Sequence, residues 1–74
     1  MTSIVLYTMP DCVKCDATKK YLDKDNINYS TVDISSSKEA YELVSSLGYK
    51  QAPVVVAGDV HWSGFRPDMI DSIK

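Results

Sequence analysis

The fold is decided by IVLYTMPDCVKC, residues 4–15, together with the segment that follows it. The first four residues are apolar and β-prone without alternation, which is typical of a strand covered on both faces. Pro10 and Asp11 then indicate a turn. The residues from Val13 to Lys24 favour a helix with one apolar and one charged side. The stretch therefore predicts a strand, a turn and a helix, with two cysteines at the junction.

The middle of the chain predicts one further strand and one further helix. Alternation from Tyr29 to Ile34 indicates the strand. Ser36 and Glu39 have the spacing of a capping box, and Gly48 is a natural stop at the end of a helix. Between them lies an apolar stripe with helical spacing. The stripe consists of Ala40, Leu43, Val44 and Leu47.

The C-terminal third predicts a hairpin followed by a short helix. Strands at 53–56 and 60–62 flank the turn sequence AGD, and Pro67 fits the first position of the helix. The element order is therefore β-α-β-α-β-β-α. A βαβ unit requires parallel strands, whereas the hairpin adds an antiparallel pair. The simplest arrangement is one α/β domain over 1–74, with a four-stranded mixed sheet flanked by three helices.

Length and charge exclude several classes of function. The chain has 74 residues, a formal net charge of −2 and no basic block, so we expect neither a nucleic acid nor a membrane as partner. Its first residues lack the basic region and the apolar run of a signal peptide. We therefore expect a cytoplasmic protein, and we expect it to be a monomer. In the cytoplasm a Cys-x-x-Cys pair is more often redox-active or metal-binding than structural.

Cys12 and Cys15 are the predicted catalytic residues. At a helix N-terminus, unpaired N–H groups and the helix dipole stabilise a negative sulfur and lower a thiol pKa from about 8.5 towards neutrality. The thiolate is the nucleophile in disulfide exchange, and Cys12 holds that position. Cys15 lies one turn further in, which suits a resolving thiol that attacks the mixed disulfide. The predicted redox group is their disulfide, with no bound cofactor and no metal.

Other interpretations of these residues stay open at the level of sequence. Both cysteines could be ordinary buried thiols. A zinc or iron–sulfur site would need ligands beyond Cys12, Cys15 and His61, supplied by a second chain or an outside thiol. A protein-interaction adaptor would need neither thiol. Pro53 is either a plain residue at a strand edge or a cis proline.

Three stretches of the chain together resemble the NrdH-redoxins. They are TMPDCVKC at 8–15, QAPVVVAG at 51–58 and WSGFRPD at 62–68, and the resemblance covers essentially the whole chain. It implies a thioredoxin-like fold in which a cis Pro53 faces the cysteine pair. It also implies reduction by NADPH through thioredoxin reductase, with a class Ib ribonucleotide reductase as electron acceptor.

The resemblance further implies a surface that binds partners. The backbone beside Pro53 would pair with an incoming peptide as an added strand. Trp62 and Phe65 either belong to this surface or cap a small core. The predicted partner-binding residues are Val13, Lys14, Ala52, Pro53, Trp62, Ser63, Gly64 and Phe65.

The chain departs from ordinary glutaredoxins where those proteins hold glutathione. Glutaredoxins typically carry a Gly-Gly pair followed by an acidic residue, whereas this chain has SGFR at 63–66. Phe65 is bulky and Arg66 is a cation, and Met9 stands where many glutaredoxins have a lysine. We therefore expect weak or absent dependence on glutathione. A glutathione-dependent glutaredoxin remains the alternative.

Overall fold

A computed structural model describes residues 3–73 and confirms the predicted order of elements. The strands form one mixed sheet in the order β2-β1-β3-β4, in which β1 and β2 are parallel and the other pairs are antiparallel. The elements are β1 (Ile4–Thr8), α1 (Val13–Lys24), β2 (Ser30–Asp33), α2 (Lys38–Ser46), β3 (Val54–Ala57), β4 (Val60–Ser63) and α3 (Pro67–Ser72). This is the predicted four-stranded mixed sheet with three helices.

The register of the strands gathers several chain segments at one edge of the sheet. Tyr7 lies opposite Val54, and Val54 lies opposite Ser63. Because β3 is antiparallel to its two neighbours, the beginning of β3 lies beside the ends of β1 and β4. We call this edge, defined by Thr8, Val54 and Ser63, the upper edge. The turn into α1 leaves the sheet here, so the cysteine pair starts from the same place.

Helices cover both faces of the sheet. Neighbouring residues of a strand point to opposite faces, so Leu6 and Val55 face one way while Tyr7 and Val54 face the other. The first face packs against α1 and α3 in a cluster that contains Ile4, Leu6, Leu22, Val55, Ala57, Trp62 and Ile70. The second packs against α2 in a cluster that contains Tyr7, Ile34, Ala40, Val44 and Val54. This arrangement explains why β1 and β3 are apolar without alternation.

The predicted cap of α2 was wrong by one residue. Ser37 is the N-cap, and its hydroxyl accepts a hydrogen bond from the Ala40 amide at 3.3 Å. Ser36 lies in the preceding turn, where its hydroxyl donates to the Asp33 carbonyl at 3.3 Å. The Asp33 carboxylate also accepts from the amide and the hydroxyl of Ser35. Two of the three serines are thus hydrogen-bonded to Asp33 in the turn, and the third caps the helix.

The apolar stripe of α2 is narrower than predicted. Ala40 and Val44 are buried against the sheet, whereas Leu43 is 43% exposed and Leu47 is partly buried. Gly48, in the left-handed region with φ 94°, ends the helix as predicted. The Tyr49 amide closes this end by donating to the Val44 carbonyl at 3.1 Å.

Strand bounds differ from the prediction by one residue at six ends. β1 extends to Thr8, β2 is shorter than 29–34 at both ends, β3 is shifted by one residue to Val54–Ala57, and β4 extends to Ser63. A proline has no N–H to donate to a ladder, which explains why β3 begins one residue later. Among residues 3–73, no helix is long and apolar enough to cross a membrane.

Candidate active site

Cys12 caps the N-terminus of α1. Its backbone is extended, with φ −105° and ψ 104°, and its sulfur accepts a hydrogen bond from the Cys15 amide at 3.1 Å. Its carbonyl accepts from the Asp16 amide at 3.1 Å, which begins the helical ladder. Asp11 has φ 58°, a left-handed conformation that Asp tolerates better than most residues. The turn therefore aims an otherwise unpaired helix N–H at the Cys12 sulfur.

The two cysteines differ in how accessible they are. Cys12 is partly exposed, whereas Cys15 is only 1% exposed. Their sulfurs are bonded as a disulfide, with the two Cα atoms 5.2 Å apart. One sulfur is thus open to an incoming molecule, and the other is sheltered one turn further along the same helix.

Val13 and Lys14, the residues between the cysteines, both face solvent. Val13 is 82% exposed, which places a bare apolar side chain beside Cys12. One turn further along α1, the hydroxyl of the fully buried Thr18 donates to the Lys14 carbonyl at 2.8 Å. The start of α1 therefore presents Val13 and Lys14 to solvent, while Cys15 and Thr18 are buried.

The segment before β3 reaches the upper edge together with the loop after β4. The peptide bond between Ala52 and Pro53 is cis, as the resemblance implies. The Pro53 carbonyl accepts a hydrogen bond from the Gly64 amide at 2.8 Å. Gly64 has φ 83°, a conformation that glycine adopts without steric cost. Ala52 and Ser63 are partly buried beside this bond, so four predicted partner-binding residues lie together.

Trp62 belongs to the core, which is one of the two interpretations that the sequence left open. It is 4% exposed and lies in the cluster with Leu22 and Ile70. Its indole N–H is buried and makes no hydrogen bond to any of the described residues. The side chain thus supports the loop from below, and its contact with a partner could only be indirect.

Phe65 presents the opposite case, because it is 37% exposed. Its ring meets the ring of Tyr21 from α1 in an edge arrangement, with centroids 5.9 Å apart and planes at 71°. Tyr21 also donates a hydrogen bond to the Asp71 carboxylate at 2.8 Å. Phe65 is therefore a surface side chain whose ring is in contact with Tyr21 and otherwise partly exposed to solvent.

Arg66 and Asp68 form an exposed ion pair at the start of α3. Two guanidinium nitrogens of Arg66 donate to the two carboxylate oxygens of Asp68 at 3.1 and 2.9 Å. These hydrogen bonds lower the pKa of Asp68 below its usual value. Asp68, the first acidic residue after SGFR at 63–66, is thus already paired with a cation of its own chain.

Met9 is a residue that the sequence interpretation did not assign to the site. It follows β1 at the upper edge and is 42% exposed. Val13 and Phe65 are likewise exposed and follow β1 and β4, whose ends lie at the upper edge, and we call Met9, Val13 and Phe65 the apolar rim. The available signal was a large apolar residue in the turn directly before the cysteines.

The residues described at 3–73 contain no group of three or more His, Cys, Asp or Glu side chains that could hold a metal ion. His61, the remaining candidate ligand in the sequence, is hydrogen-bonded through Nδ1 to the Tyr49 hydroxyl at 2.7 Å.

Comparison with known proteins gives a consistent result. Residues 4–62 match the glutaredoxin family. The chain is 43% identical over 70 residues to the glutaredoxin-like protein NrdH of Escherichia coli strain K12, covering 95% of this chain and 86% of the relative. It is 33% identical over 64 residues to NrdH of Lactococcus lactis subsp. cremoris strain MG1363, covering 86% and 89%. The solved structure of NrdH-redoxin from Escherichia coli superimposes with a TM-score of 0.93 at 42% identity, covering 97% and 95%.

A thioredoxin-like fold with a Cys-x-x-Cys disulfide at the first turn of α1 defines a thiol–disulfide oxidoreductase. Within that class, the chain belongs to the glutaredoxin family and, inside it, to the glutaredoxin-like NrdH proteins.

Proposed function

We propose that this chain is a monomeric, single-domain dithiol electron carrier of the cytoplasm. Electrons pass from NADPH through thioredoxin reductase to the chain, and from the chain to a class Ib ribonucleotide reductase. The observation that carries the proposal is an accessible Cys12 at a helix N-terminus beside a buried Cys15. The Escherichia coli relative, described as having a thioredoxin-like activity profile, supports the choice of reductase.

The first step is attack on the acceptor by Cys12. In the reduced chain, the start of α1 and the Cys15 N–H stabilise the Cys12 thiolate. This sulfur attacks one sulfur of the acceptor disulfide. A mixed disulfide forms between Cys12 and the acceptor, and the second acceptor sulfur leaves as a thiolate that takes up a proton.

The second step is resolution by Cys15. Its sulfur loses its proton and attacks the Cys12 sulfur, which releases the other acceptor sulfur as a thiol. The acceptor has then gained two electrons and two protons. The chain has lost two electrons and the Cys15 proton as its own disulfide forms, and the second proton comes from solvent because Cys12 reacts as a thiolate. Burial of Cys15 restricts its reaction to the neighbouring sulfur, so resolution is intramolecular. Thioredoxin reductase returns the chain to its dithiol form by the same exchange in reverse.

The upper edge supplies the docking surface in this proposal. An extended peptide of the partner lies beside Pro53 and pairs with the backbone at Ala52 as an added strand. The apolar rim contacts the partner on either side, while Lys14 and Ser63 supply polar contacts. Trp62 and Gly64 hold the loop in place through the core and through the bond to the Pro53 carbonyl.

The same surface argues against glutathione as the reductant. A glutaredoxin reads the amino end of glutathione with a carboxylate, whereas here Phe65 and Arg66 stand at that place and Asp68 is paired with Arg66. The ammonium group of glutathione would therefore meet a guanidinium and an aromatic ring rather than a free carboxylate. The glutaredoxin family match makes a glutathione-dependent protein the second candidate.

Reconstitution with the acceptor tests this function. NADPH, thioredoxin reductase, the chain and a class Ib ribonucleotide reductase should together form deoxyribonucleotide at a rate that rises with the concentration of the chain. The Cys12→Ser variant is the matched control and should leave only the background rate. Reduction of the chain without deoxyribonucleotide formation would show that its acceptor is a different disulfide protein.

A further inference from the structure

Tyr21 joins three parts of the molecule that belong to different elements. It lies on α1, the helix that carries both cysteines, and its ring packs edge-on against Phe65 in the loop after β4. Its hydroxyl donates to Asp71 on α3 at 2.8 Å. The Lys24 ammonium lies over the Tyr21 ring, 5.8 Å from its centroid. We call Tyr21, Phe65 and Asp71 the Tyr21 bridge.

The Tyr21 bridge restricts the Phe65 side chain, which the anchored backbone of the loop alone would leave free to rotate. The Gly64 amide anchors the backbone of the loop to the Pro53 carbonyl, directly before Phe65. The Phe65 ring, however, is 37% exposed, and an exposed aromatic side chain samples more than one rotamer unless a neighbour restricts it. An edge-on aromatic contact favours one arrangement of the two rings. Tyr21 therefore selects the direction in which Phe65 points.

Asp71 fixes the other end of the tyrosine. A hydrogen bond to a carboxylate is stronger than one between neutral groups, so the Tyr21 ring has a defined tilt between α1 and α3. Since Cys12 is the N-cap of α1, the bridge sets the position of Phe65 relative to the helix that presents the reactive sulfur. The partner then meets an apolar rim that is already arranged, and binding costs less conformational entropy.

We propose that Tyr21 is a positioning residue for the protein reductase, acting through Phe65 and without touching the reacting sulfurs. The inference rests on the proposed function, because it takes the apolar rim as the place where thioredoxin reductase docks. Tyr21 would then govern how well the reductase binds, and it would leave the intrinsic exchange chemistry of the cysteine pair unchanged.

A double-mutant cycle tests this dependence on Phe65. Tyr21→Ala and Phe65→Ala should each raise the KM of thioredoxin reductase for the chain roughly three- to tenfold, the range expected from an aromatic pair, with kcat little changed. In the Phe65→Ala background, the Tyr21 substitution should have no further effect on KM. Tyr21→Phe keeps the ring contact and removes the bond to Asp71, so its KM should fall between those of wild type and Tyr21→Ala.

The chain offers a matched control. The Tyr29 hydroxyl donates to the Asp23 carboxylate at 3.0 Å, again a surface tyrosine paired with an aspartate, and Tyr29→Phe should leave KM unchanged. Reduction by dithiothreitol, which needs no docking surface, should proceed at the wild-type rate in every variant. Equal effects of Tyr21→Ala in the presence and absence of Phe65 would overturn the inference. A wild-type chain that thioredoxin reductase does not reduce would instead overturn the proposed function.

Discussion

We expect turnover to fall by more than about a thousandfold when Cys12 is replaced by serine, because the variant lacks the attacking sulfur. A serine hydroxyl stays protonated at neutral pH and does not attack disulfides. The fold should survive, since serine is among the preferred residues at a helix N-cap, the position that Cys12 occupies. The measurement is NADPH-linked reduction of a protein disulfide, with circular dichroism of the reduced proteins as the check on folding.

Ser45→Ala, at an exposed position of α2 outside the proposed docking surface, is the control for loss of a serine hydroxyl and should retain wild-type turnover. Cys12→Ser turnover within tenfold of wild type would place the nucleophile elsewhere. Cys15, the other cysteine of the chain, would then be the attacking thiol, and the assignment of roles from burial would be reversed.

A stable covalent complex between the chain and its acceptor is the expected result for Cys15→Ser. Cys12 still attacks, but the buried thiol that resolves the mixed disulfide is missing. Catalytic turnover through the dithiol route should be lost, while a band with the summed mass of both proteins appears on a non-reducing gel. The band should disappear on addition of dithiothreitol.

The double variant Cys12→Ser with Cys15→Ser is the matched control and should give no such band. A covalent complex in that double variant would reveal an attachment that involves neither cysteine of the chain. If Cys15→Ser gave no complex and kept wild-type turnover, Cys15 would have no part in resolution. Turnover of Cys15→Ser that depends on added glutathione would favour the glutaredoxin alternative.

The strand–turn–helix at the start of the chain was predictable because its signals are local. An apolar run, a turn with Pro10 and Asp11, and a helix with charged residues on one side determine β1 and α1 whatever surrounds them. The hairpin of β3 and β4 was predictable for the same reason. The cysteine pair follows from this local pattern, since its position between β1 and α1 is a matter of sequence order.

Features that depend on competition between neighbours were predicted less well. Three successive serines precede α2, and the sequence does not show that Asp33 binds two of them and leaves Ser37 as the cap. Leu43 fits the helical stripe by spacing, yet only Ala40 and Val44 are buried against the small sheet. Helical periodicity shows which side faces inward, and the width of the buried stripe is set by what lies beneath it.

In the candidate site, too, the features that depend on tertiary packing were not predictable from the sequence. Trp62 and Phe65 are three residues apart and looked equivalent in the sequence, but one is buried in the core and the other forms part of the surface. Their difference arises from the packing of α1 and α3 against β4, which spacing does not reveal. The Tyr21 bridge is also a tertiary feature, because it joins residues as much as fifty positions apart.

The central claim is that the Cys12–Cys15 disulfide accepts electrons from a protein reductase rather than from glutathione. The most direct test is NADPH consumption by the purified chain with a disulfide substrate in two parallel assays. One assay contains thioredoxin reductase, and the other contains millimolar glutathione with glutathione reductase. We expect turnover with thioredoxin reductase and little or none with glutathione. Turnover only in the glutathione assay would contradict the claim and identify the chain as a glutathione-dependent glutaredoxin.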